Sequence, residues 1–250
     1  MKKIAVFIAL LTLVTAATNA QAAVVKLNGS TTVADRVISP YKVAVEAKTG
    51  HTVKIVGNGT GKGLVDLVEG RGDASLSSVP VGIAIQAAKL AGKDVDLKAL
   101  KYSVLKVDEI VFVVNPANPV KRLDWAQIKA IYTGRITNWK EVGGKDSPII
   151  VYSDTATGGT QALIKQIVLG GAEYSDSVIP LAKVRNVGDS VASFPEAIGG
   201  LGIGFTDSRM KIIESKKLDC PLGIITIGEP KGKVKEVIDA YKAEVAKAGK

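Results

Sequence analysis

Three short turns constrain this chain more than any other feature: "NGSTTV" at 28–33, "GNGTGKGL" at 57–64 and "TATGGTQ" at 155–161. Each follows an apolar, strand-like run: "VVKLNG", "HTVKIVG" and "PIIVYSD". Each opens a run with helical character. Strand, Gly/Ser/Thr turn and helix in repetition predict an α/β architecture with a parallel sheet. In open sheets of this kind, ligands sit at the carboxyl ends of strands, where such turns collect.

The rest of the chain fits that alternation. A helix is expected from Ser30 to Gly50, with capping hydroxyls at Ser30 to Thr32 and a kink or break at Pro40. A second helix runs from about Thr60 to Glu69 and stops at Gly70. "DASLSS" (73–78) reads as a short strand and "DEIVFVVNP" (108–116) as a buried one. "LDWAQIKAIYTG" reads as a helix with Leu123, Ile128 and Ile131 inward. After the third turn come a helix from about Thr160, a short strand at "IPLAKV", a helix around Asp189 to Phe194 and a Gly-spaced strand at 199–205. His51 is expected in a solvated loop, and the lysine-rich end reads as an amphipathic surface helix. The strands near 110–115 and 200–206 are the expected crossings between two lobes, the first built from 23–110 plus 206–250 and the second from 111–205.

The first residues, "MKKIAVFIALLTLVTAATNAQAA", place two lysines before an apolar run and end in Ala20-Gln21-Ala22. That is the pattern of a secretory signal peptide over 1–22, cleaved near Ala22-Ala23, with no cysteine for lipid attachment. Cys220 is the one cysteine and His51 the one histidine, which argues against an internal disulfide and against a built metal site, so no cofactor is expected. The net charge of +9 would suit anionic partners, but aromatic residues make up only 5% of the chain and no Arg-aromatic cluster appears. Nucleic acid is therefore not an expected partner.

"GNGTGKGL" invites comparison with nucleotide loops and fails it. In G-x-x-x-x-G-K-[ST] the leading glycine would be Val56 and the last residue Gly63; in G-x-G-x-x-G the last glycine would be Lys62. Two readings remain: a tight strand-to-helix turn, or an anion seat made of unpaired amides at a helix start. Three such turns at strand ends would aim three helix N-termini at one point and hold an anion without a metal.

"GSTTV", "DEIVFVVNPANPV", "IYTGRITNWKEVGG" (131–144) and the Gly-Thr turn after "IIVYSD" resemble the phosphate-binding proteins of bacterial phosphate ABC importers. The resemblance spans about 27–206. It implies a type II two-lobed periplasmic-binding-protein fold with two crossover strands, a monomer in the periplasm, and a membrane permease as partner. It implies phosphate or another small oxyanion as ligand and no catalysis; no Ser-His pair is available for an enzyme in any case. Ser30, Thr31 and Thr32 match the family's first turn, Thr60 with Gly61 the second, and Ser77 and Ser78 stand where the family often offers Asp or Ser-Arg. In the third turn the family usually reads Arg, three residues, Ser-Gly-Thr; this chain has Asp154, then Gly158, Gly159 and Thr160. An arginine gives phosphate a bidentate charged pair, and an aspartate repels an oxyanion unless it accepts a proton from it. Either Lys62 replaces the lost charge, or Asp154 turns away or selects a protonated oxyanion, or the ligand is a different one. A secreted sensing module of the same fold without a permease is the alternative function. Trp139 and Asn138 read as packing and turn residues.

Overall fold

The computed structural model describes residues 22–248, so the leader expected over 1–22 lies outside the described residues but for Ala22. β1 (Val24–Gly29) passes through Ser30 into α1 (Thr31–Val33), a π-helical turn (Ala34–Ile38) and α2 (Ser39–Thr49). The irregular turn lies directly before Pro40, which has no N–H to donate and whose ring crowds the Arg36 carbonyl. β2 (Thr52–Gly57) feeds α3 (Thr60–Val68), and β3 (Ala74–Ser77) feeds α4 (Val81–Leu90). The long β4 (Leu100–Val114) follows, then α5 (Trp125–Tyr132). β5 (Ile150–Asp154) enters α6 (Gly159–Leu163) and a second π-helical turn (Ile164–Val168). β6 (Ile179–Leu181) enters α7 (Val184–Ser193), and β7 (Ala197–Gly202) ends in a 3-10 turn (Ile203–Phe205). The long β8 (Lys211–Ile227) and α8 (Gly232–Ala248) complete the chain.

The strands form one mixed sheet in the order β2-β1-β3-β8-β4-β7-β5-β6. β2-β1-β3 and β7-β5-β6 are parallel groups, as the strand-turn-helix alternation requires. Between them β8 and β4 run antiparallel over most of their length, with register shifts at Val104/Lys106 and Ile110/Phe112. Such irregularities bend and twist the strands that carry them. These two strands cross between the groups. Two parallel groups joined by two crossover strands make the α/β architecture that the resemblance implies.

Four local expectations needed correction. The second crossing strand is β8 at 211–227 and not the run at 200–206, which is β7 and its 3-10 turn. β8 is hard to see because its first half, "KIIESKKLDC", is mostly solvent-facing and carries lysines among the apolar residues. α7 begins at Val184, five residues before Asp189. α4 went unread because its core-facing Ile83, Ala84, Ala87 and Ala88 lie in a run that is apolar nearly throughout. His51 is buried, not solvated: Nε2 lies 3.1 Å from Glu236 Oε2 and Nδ1 takes the Ala23 amide at 3.3 Å, tying α8 to the start of β1. Trp139 packs in the core with Nε1 donating to Glu196 O at 2.9 Å, and Asn138 caps the turn beside it.

Candidate functional site

The first wall of the site is the carboxyl end of β1, β2 and β3. Gly29 O accepts from both Asn58 N (3.0 Å) and Gly59 N (2.9 Å), which sets the second turn on the first. Asp66 of α3 accepts from Asn28 Nδ2 at 2.9 Å and Asn58 Nδ2 at 2.8 Å. Burial pushes its carboxyl up, but the bonds from Asn28, Asn58 and Arg71 outweigh that and hold it below the usual carboxylate range. Gly59, at φ +94°, makes the corner into α3. The other glycines of "GNGTGKGL" serve packing. A Cβ on Gly61 would stand 2.3 Å from Ala87 O, and one on Gly63 would stand 2.2 Å from Gly29 Cα. They let α3 seat on α4 and β1, so the motif's composition records helix packing as much as any ligand. The lysine between them, Lys62, is exposed and does not line the cavity, so it does not replace the charge of the family arginine.

The second wall is the end of β5. Asp154 is buried, and its Oδ1 accepts from Gln161 N at 2.7 Å. Burial pushes the carboxyl up to about 7, against the pull of hydrogen bonds from the Gln161 and Thr160 amides. The carboxylate thus occupies part of the α6 start, where an anion would otherwise find its donors. A Cβ on Gly158 would lie 2.1 Å from Asp154 Oδ2. The two departures from the family pattern are therefore one: with an aspartate at 154 pointing this way, a serine at 158 has no room.

The walls meet. Gly61 N donates to Thr157 O at 3.0 Å across the gap. A Cβ on Gly159 would stand 2.3 Å from Ser78 Oγ and 2.7 Å from Thr60 Oγ1, so the bare backbone of α6 faces two hydroxyls of the first wall. Thr60 is fully buried, and its hydroxyl has no partner among the described residues. Stranding a hydroxyl costs free energy, which a bound acceptor recovers.

The cavity between the walls is lined by Ser30, Thr31, Thr32, Gly59, Thr60, Ser78, Asp154, Thr155, Gly158, Gly159, Ala182 and Val184. The cavity is small, with room for a group of few atoms and not for a nucleotide. Among the described residues no Lys or Arg lines it, and no cluster of three or more His, Cys, Asp or Glu side chains could hold a metal ion.

Of the site residues expected from sequence, Ser30, Thr31, Thr32, Thr60, Ser78, Asp154, Gly158 and Gly159 come together here. Gly61, Ser77 and Thr160 lie just behind the lining. Ser77 spends its hydroxyl on Val79 O at 2.8 Å, and the Thr160 amide goes to Asp154. Ser30 also caps the first helix, accepting from Val33 N at 3.3 Å. Sequence reading missed Gly59, Thr155, Ala182 and Val184. The first two sit inside the quoted turns; Ala182 and Val184 carry no polar signal at all.

Comparison with known proteins agrees with this geometry. The model of the PBP superfamily domain matches residues 14–244. The phosphate-binding protein PstS of Bacillus subtilis (strain 168) is 28% identical over 233 residues, covering 87% of this chain and 75% of the relative. The PstS of Borreliella burgdorferi is 24% identical and covered over 66% of its length. Among solved structures, a putative phosphate ABC transporter substrate-binding protein with bound phosphate from Clostridium perfringens is 26% identical with a TM-score of 0.75, covering 87% of this chain and 92% of that one. An ABC-type phosphate transport receptor from Vibrio cholerae is 25% identical with a TM-score of 0.72, covering 90% and 96%. A match over nearly the whole chain, with the same fold in both structures, settles the kinship: this chain is a member of the PBP superfamily.

Proposed function

We propose that the chain is a solute-binding protein that captures phosphate in the cleft between its two walls and passes it to an ABC importer. It is a binding component and not an enzyme, in line with the phosphate-binding proteins it resembles. The observation that carries the reading is the convergence of Thr60 Oγ1, buried and unpartnered, with Ser78 Oγ on the bare backbone of Gly159. Hydroxyls and helix-start amides supply the donors, and the small cavity excludes larger phosphate esters. Ser30, Thr31, Thr32, Thr60, Ser78, Gly158 and Gly159 are the proposed contacts. Asp154 is the proposed selector: once ionised, above its pKa of about 7, its carboxylate accepts the ligand's proton, which sulfate does not carry.

The two walls belong, in this reading, to two lobes that close on the ion, with the chain crossing between them in β4 and in β8. The leader over 1–22 directs a monomeric protein to the periplasm, where the permease is its partner. Calorimetry of the dialysed protein against phosphate, arsenate, sulfate and molybdate tests the proposal. Phosphate and arsenate should bind, and at about pH 8, where carboxyl and ligand are both mostly ionised when free, binding should take up a proton that shows as a dependence on the buffer's ionisation enthalpy. Absence of phosphate binding, or equal affinity for sulfate, refutes it.

A further inference from the structure

The cleft is bridged a second time, away from the cavity. Arg36 lies in the π-helical turn that follows the first binding loop, and its guanidinium reaches the 3-10 turn after β7 on the other wall. A Cβ on Gly204 would fall 1.7 Å from Arg36 Nη2, so the guanidinium fills the place of a side chain there. Arg36 Cζ is 5.8 Å from the centre of the Phe205 ring, and Arg185 of α7 stands 5.2 Å from the same ring. Arg185 also pairs with Asp35 across the gap at 3.7 Å. A cation in the first turn of α7 opposes the helix dipole, so the ring and Asp35 explain its place better than the helix does. Both bridging residues of the first wall, Asp35 and Arg36, ride on the helix that begins at Ser30 to Thr32.

Energetically the clasp is poised. The exposed ion pair contributes little. Stacking a guanidinium on an aromatic face is favourable, more so where water is excluded. Against this, Arg36 Nε is buried without a partner among the described residues, which costs part of that gain. A contact balanced in this way does not lock an empty cleft, but it slows the opening of a filled one.

We propose that Arg36, seated between Gly204 and Phe205, is a cross-cleft clasp that sets how long the closed state, and hence a bound oxyanion, survives. The inference rests on reading the cleft as an oxyanion site that opens and closes. Arg36 touches no ligand in this account; it is a positioning residue.

Gly204→Ala tests it, because the added methyl meets the movable end of Arg36 and the glycine is not in the left-handed region. Release of radiolabelled phosphate into excess unlabelled phosphate should quicken by about 5- to 30-fold, the factor a cation–π contact amounts to. The association rate should hardly change. Arg36→Ala should do the same, and Gly204→Ala should add nothing in that background. Phe205→Tyr should keep the slow release and Phe205→Leu should lose it. Small-angle scattering of the ligand-free and phosphate-loaded forms should show a larger open fraction in Gly204→Ala. Unchanged release and scattering, slower release, or a Gly204→Ala effect that persists without Arg36 overturns the clasp. Failure of the unaltered protein to bind phosphate, with scattering still shifted by Gly204→Ala, overturns the proposed ligand and leaves the clasp standing.

Discussion

The first wall meets the cavity with the hydroxyl residues Ser30, Thr31, Thr32, Thr60 and Ser78, whereas the second meets it with Asp154, a single hydroxyl residue, Thr155, the bare backbone of Gly158 and Gly159, and the apolar Ala182 and Val184. Both walls are strand ends running into helices, so the sheet gives them the same frame. Their chemistry differs because the first wall keeps an unpartnered hydroxyl, that of Thr60, whereas the second has its helix start partly filled by the protein's own carboxylate. Under the proposed function an anion finds on the first wall a donor that nothing else uses, and on the second a carboxyl that tolerates it only while a proton lies between them. The proposal thus assigns affinity to one wall and discrimination to the other.

Removing the carboxylate charge should have the largest effect. Asp154 has a folded pKa of about 7, above its unfolded value, so between those two values the folded state holds a proton that the unfolded state has lost. Its contribution is complete below about pH 4 and disappears as pH rises through about 7, by up to about 4 kcal/mol. Denaturant titrations at a series of pH values should show that slope in the unaltered protein and not in Asp154→Asn. The same variant should narrow the preference for phosphate over sulfate, and an unchanged preference would remove Asp154 from recognition. Phosphate affinity of the unaltered protein should fall from pH 6 to 9 as ligand and carboxyl both lose their protons.

Gly159→Val attacks the contact between the walls. Its side chain would enter the space held by Ser78 Oγ and Thr60 Oγ1. Strain of about 1–3 kcal/mol falls on the closed state, so phosphate binding should weaken by up to roughly a hundredfold while the melting temperature holds. An effect of similar size is expected from Thr60→Val, which keeps the shape and deletes the free hydroxyl: about 1–3 kcal/mol of affinity, read by calorimetry. Ser77→Ala is the counterpart with the smallest expected effect on binding. Its hydroxyl is committed to Val79 O, so stability should drop by about 1 kcal/mol and affinity should stay as it was. A larger loss of binding in Ser77→Ala than in Thr60→Val would reverse the assignment of donors on the first wall.

Much of this was legible in the sequence. The three Gly/Ser/Thr turns, the strands before them and the helices after them are local patterns, set by capping, glycine geometry and apolar periodicity within a dozen residues. They were enough to give the α/β class and six of the residues that line the cavity; Ser78 and Asp154 came from the family resemblance. β8 was not legible, because a strand with one face in water and lysines along it has no period that stands out until its partners β3 and β4 are known.

Direction was the other thing the sequence withheld. Ser77 and Ser78 are adjacent and alike. Only the packing of β3, with Cys220 Sγ donating to Ser78 O at 3.0 Å and Tyr102 donating to Ser77 O at 2.9 Å, decides which hydroxyl faces the cleft. Lys62 and Asp154 pose the same question with charges: composition puts both beside the site, yet one is exposed and the other buried. Chain-local chemistry determines which residues stand at a strand's end. Where their side chains point is fixed by contacts with residues far along the chain, and those exist only in the folded protein.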